Sequence, residues 1–83
     1  MSESTDNLNS LNPGECGIIT ELKNKGNIRR RLMELGFAKG SKTACLGIAP
    51  CGDPKAFLIK NTVIALREED SALIKIIKEN SEK

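Results

Sequence analysis

The apolar stretches of this 83-residue chain are short, rich in β-branched residues and cut off by turn signals. Runs at 16–22, 41–49, 55–60, 62–66 and 73–77 are interrupted by Pro13-Gly14, by Lys39-Gly40, by Pro50-Cys51-Gly52-Asp53-Pro54 and by the pair Lys60-Asn61. Such runs read as strands, and Asn61 tolerates the positive φ of a tight hairpin. One segment breaks the pattern. Ile28, Leu32 and Leu35 recur at i, i+4 and i+7, which predicts a helix of about two turns. Asn27 is its expected N-cap and Gly36 its left-handed stop. Residues 68–71 are polar and predict one helical turn before the last strand. The pattern is therefore mainly β: five short strands, one short α-helix after the first strand, and only short connections. A sheet this small hides its edges most simply by curling into a closed or half-closed barrel.

A chain of this length makes one domain with a modest core, too small to enclose a substrate. With two Phe and neither Tyr nor Trp, the core must be aliphatic. Residues 1–10 are polar around a lone Leu8 and are expected to form a disordered leader. Residues 11–78 are expected to form the barrel and 79–83 a frayed end. The N-terminus has neither a basic segment nor an apolar one, as a signal peptide requires. No apolar run approaches the ~20 residues of a bilayer span. These features predict a cytoplasmic protein.

The chain contains no His, which removes the commonest general base and the commonest metal ligand together. Its three cysteines, Cys16, Cys45 and Cys51, lack C-x-x-C spacing and fit neither a disulfide framework nor a structural zinc site. The segment 36–42 has neither the length nor the order of a phosphate-binding loop. Catalysis and a resident cofactor are therefore not expected, and the chemistry points to docking.

Two features could carry docking. Charge is uneven: residues 21–42 hold seven Lys or Arg against two Glu, a net of +5, whereas residues 68–83 carry −2. Within the basic part, Arg29, Arg30 and Arg31 occupy the start of the helix, where cations oppose the macrodipole. They read either as a solvated face, with Arg30 and Glu34 paired at i,i+4, or as a surface for an acidic partner. The other feature is the loop in which Pro50 and Pro54 restrict φ around Cys51, Gly52 and Asp53. It reads either as a corner between strands or as a pre-organised docking surface. Cys51 and Asp53 are also weak candidates for a soft and a hard metal ligand, but two ligands do not make a site. A nucleic-acid-binding barrel is an alternative that the near-absence of aromatics disfavours.

Taken in order, several motifs resemble the FeoA family, ferrous iron transport protein A. They are Leu11-Asn12-Pro13-Gly14-Glu15-Cys16-Gly17, Arg30-Arg31-Leu32-Met33-Glu34-Leu35-Gly36-Phe37, Ala49-Pro50-Cys51-Gly52-Asp53-Pro54 and Ile64-Ala65-Leu66-Arg67. The resemblance runs from about Leu11 to Ile77. It implies an SH3-like barrel and a cytosolic accessory role in bacterial ferrous iron uptake. The implied partner is the membrane iron transporter FeoB, through its cytosolic GTP-binding domain, so that this chain would be peripheral to the membrane. The resemblance also extends to a C-terminal domain of iron- and manganese-dependent repressors. Here no helix-turn-helix precedes the barrel, and the free-standing accessory is the expected form. The implied partner-binding residues are Arg30, Arg31, Pro50, Gly52, Asp53, Pro54 and Arg67, and weak self-association is compatible with them. Where the family usually has an aliphatic residue, this loop has Cys51, a neutral replacement or an added thiol.

Overall fold

A computed structural model describes residues 5–79 of the chain. Its elements are β1 (Thr5–Asn7), a 3-10 turn (Leu8–Ser10), β2 (Cys16–Leu22), α1 (Gly26–Leu35), β3 (Lys42–Ile48), β4 (Lys55–Ile59), β5 (Thr62–Leu66), α2 (Glu68–Ser71) and β6 (Ile74–Glu79). The strands form one antiparallel sheet in the order β1-β6-β2-β3-β4-β5. Period-two alternation sends Ile19 of β2, Cys45 of β3, Phe57 and Ile59 of β4 and Ile74 and Ile76 of β6 into one shared core. Register shifts at Ile19/Glu21 and Cys45/Gly47 bend β2 and β3, as bulges do.

Helix α1 lays Leu32 into that core, with Ile28 and Leu35 packed against it. Gly36 ends the helix with a φ of 115°, and the following Phe37 N–H bonds back to the Leu32 carbonyl at 2.9 Å. The expected Asn27 cap is not formed. The helix begins two residues earlier, its cap position falls on Lys25, and no side chain caps it. The hairpin between β4 and β5 turns on Lys60 and Asn61, both at positive φ (47° and 64°), the signature of a type I′ turn. Both phenylalanines are fully buried, so the sparse aromatics are spent on the core rather than on the surface.

The ends of the chain differ from expectation. Residues 5–10, expected within a disordered leader, form β1, which pairs with β6, and the 3-10 turn. Leu8 and Leu11 are fully buried. The Lys55 ammonium fixes this segment by donating to the carbonyls of Asn9 and Leu11. The Ser71 hydroxyl, also buried, bonds the Asn9 side chain at 3.1 Å. The strand count among the described residues is thus six, the sixth built from residues whose own pattern is polar. At the other end Glu79 belongs to β6 and pairs with Cys16, while residues 1–4 and 80–83 lie outside the described residues.

Candidate functional site

The 49–54 loop connects β3 to β4 and is bonded largely to itself. Ala49 N–H donates to the Pro54 carbonyl at 3.0 Å, and Gly52 N–H to the Ala49 carbonyl at 2.8 Å. Gly52 takes a φ of 97°, a conformation that side chains oppose. The Asp53–Pro54 peptide bond is cis. The Cys51 thiol donates to the Asp53 carbonyl at 3.1 Å. Asp53 is half-buried, and its carboxylate accepts the Glu68 N–H at 2.8 Å. It thereby caps α2, whose own cap position, Arg67, provides no side-chain bond. The structure therefore brings Asp53 and Arg67 to one end of the barrel, with Pro50, Cys51, Gly52 and Pro54 exposed beside them.

The start of α1 is different. Arg29, Arg30 and Arg31 are all exposed. Among the described residues none of them joins an ion pair, and the expected Arg30–Glu34 pair is not formed. The first turn holds no acidic residue. Because α1 begins at Gly26, only Arg29 falls in the first turn, and Arg30 and Arg31, expected at the helix start, lie in the second turn beyond most of the dipole's reach. Arg30 lines a shallow groove with Gly26, Arg29, Met33 and Glu34. A neighbouring groove between α1 and β2 is lined by Glu21, Arg29, Met33 and Lys39, among others. Arg31 faces away from both, beside Asn27 and Ile28. Sequence reasoning missed Met33, which is 45% exposed and accepts a contact from the Arg29 guanidinium at 3.2 Å. The i,i+4 spacing of Arg29 and Met33 was the available signal. Arg30 and Arg31 share no hydrogen bond, ion pair or groove with the 49–54 loop or Arg67 among the described residues.

Among the described residues the ion pairs lie elsewhere, between Lys42 and Glu79 (3.1 Å) and between Lys78 and Glu15 (3.6 Å). The hydrogen bond to Glu79 raises the Lys42 pKa above its ordinary value. The backbone N–H of Asn12, donating at 2.7 Å, lowers that of Glu15, with Lys78 adding to the effect. The three cysteines are free thiols. Among the described residues no three His, Cys, Asp or Glu side chains converge as a metal site would require. Cys51 and Asp53 are adjacent, but the carboxylate is engaged as a helix cap. No helix among the described residues is long and apolar enough to cross a membrane.

Comparison with known proteins places this arrangement. The model of the FeoA domain matches residues 7–78. The Fe(2+) transport protein A/Fe(2+) transporter FeoB fusion protein of Porphyromonas gingivalis is 32% identical over 69 residues. That match takes in 83% of this chain and only 8% of the fusion protein. Among solved structures, the iron(II) transport protein A of Clostridium thermocellum is 32% identical with a TM-score of 0.81, covering 86% of this chain and 44% of that one. The zinc-complexed FeoA of Stenotrophomonas maltophilia, an SH3 domain protein, is 25% identical with a TM-score of 0.77, covering 88% and 94%. The six-stranded sheet with its two helices is an SH3-like fold.

Proposed function

The chain belongs to the FeoA domain family, and from that premise we propose that it is a non-catalytic, cytoplasmic accessory of bacterial ferrous iron uptake. It acts by docking on the cytosolic GTP-binding domain of a FeoB-like membrane transporter. The observation that carries this reading is the fusion: a relative 32% identical to this chain is joined to the transporter in one polypeptide. Fusion holds two modules at high effective concentration, which is useful when the separate modules bind each other.

The α1 surface supports the docking half of the proposal. Its unpaired guanidiniums suit carboxylates on a partner, and exposed Met33 adds an adaptable apolar contact. Pro50, Gly52 and Pro54, exposed in a loop held by its own hydrogen bonds, lose little entropy on binding. Arg67, exposed beside them, adds a cation to that end. The test is calorimetric titration of the transporter's purified cytosolic domain with this chain, in GDP-bound and GTP-analogue-bound states. Saturable micromolar binding in at least one state is expected. No binding at micromolar concentrations in either state overturns the proposal.

A further inference from the structure

The two edges of the sheet are unlike. The β1 edge is three residues long and carries Asp6. The β5 edge reads Thr62-Val63-Ile64-Ala65-Leu66, with no charge, proline or bulge to blunt it. Among the described residues β5 pairs with β4 alone. The type I′ turn fixes which backbone groups it leaves open. In a hairpin with a two-residue loop, the residues flanking the loop exchange hydrogen bonds, and alternate pairs thereafter do so. Thr62, Ile64 and Leu66, opposite Ile59, Phe57 and Lys55, therefore turn their N–H and C=O groups toward β4. Those of Val63 and Ala65 point outward from the sheet.

We propose that β5 is a self-association edge, where a second copy of this chain pairs antiparallel about a two-fold axis through Ile64. In this register Val63 lies opposite Ala65 of the second copy, and the reverse. Each open N–H then meets an open C=O, so every outward group within the strand is satisfied. Side chains favour the same register. Cys16, Ala44, Leu58 and Val63 form one row across four strands, apart from the core. Leu58 and Val63 are 36% and 60% exposed. The pairing extends this row onto Ala65 of the second copy.

An interface made by one short strand falls below the ~800 Å² per partner of stable complexes, so the dimer is weak, with a Kd on the order of 0.1–1 mM. This inference is independent of the transporter reading, because it is tested on the pure protein alone. Sedimentation equilibrium of the full chain from about 10 μM to about 2 mM spans the expected transition. The weight-average mass is expected to climb toward twice the monomer's. Val63→Lys, at an exposed position, is expected to remain folded by circular dichroism and monomeric throughout. A chain that stays monomeric at 2 mM overturns the proposal, as does a dimer indifferent to Val63→Lys.

Discussion

The 49–54 loop and the start of α1 hold most of the residues expected to bind a partner, yet the barrel uses them in opposite ways. In the loop, polar groups are spent internally. Asp53 caps α2, the Cys51 thiol bonds within the loop, and two backbone bonds close it. On α1, Arg29 at the end of the first turn and Arg30 and Arg31 in the second stand exposed outside any ion pair among the described residues. The difference separates residues that build the surface from residues that have interaction left to give. A rigid loop supplies shape, whereas the charge available for a partner sits on α1.

Substitutions that trade stability against binding put this contrast at risk. The largest stability effect is expected at Lys55, next to the loop, whose ammonium holds the carbonyls of Asn9 and Leu11. Bonds to a charged group contribute about 1.5–3 kcal/mol. Lys55→Met is thus expected to lower the melting temperature by roughly 10–20 °C in a thermal scan, at about 4–8 °C per kcal/mol for a domain this size. Asp53→Ala comes next. Loss of a helix cap costs ~1–2 kcal/mol, read as a drop in the urea midpoint, with transporter affinity nearly unchanged. A large loss of affinity in a folded Asp53→Ala protein would show that the loop's polar groups bind the partner themselves and break the contrast.

The paired change Arg30→Glu/Arg31→Glu inverts the pattern. Both positions lie in the second turn of α1, beyond most of the dipole's reach. Each new carboxylate meets Glu34 at i,i+4 or i,i+3 at a cost of about 0.2–0.5 kcal/mol, so the variant is expected to melt only a few degrees below the parent. Its transporter affinity is expected to fall at least tenfold. The smallest effect is at Glu15, whose pKa is depressed chiefly by the Asn12 N–H. A carboxylate with a lowered folded pKa contributes stability above its unfolded pKa, near the ordinary 4.5. That contribution is lost as pH falls through the lower, folded value. Melting curves of the parent and Glu15→Gln should therefore differ slightly at neutral pH and converge in acid.

Much of the barrel was legible because its signals are local. Lys60-Asn61 announced a hairpin, and Gly36 announced the end of α1 after an apolar face of correct period. The misreadings concern residues whose meaning depends on distant partners. Leu8 looks like a stray apolar residue, yet it is fully buried beside a turn that Lys55 secures from across the barrel. Lys55 itself reads as a solvated strand charge. Asp53 looked like a ligand or a contact because its partner, the Glu68 N–H, lies fifteen residues away. Asn24, 2% exposed, carried no sequence signal. Its amide donates to the Asp70 carbonyl, and its own oxygen lacks a partner among the described residues. For the candidate surface, composition revealed the basic helix start. It gave no sign that the Arg30–Glu34 pair would fail to form, nor that Met33 would stand exposed between two grooves.

The central claim is that this chain docks on the transporter through the basic start of α1, on a barrel whose 49–54 loop is mainly architectural. Calorimetric titration of the transporter's cytosolic domain with the parent, Asp53→Ala and Arg30→Glu/Arg31→Glu proteins tests it in one series. The account predicts micromolar binding by the parent, near-parental binding by folded Asp53→Ala, and a loss of at least tenfold in the double arginine variant. Equal affinities for the parent and the arginine variant would contradict it.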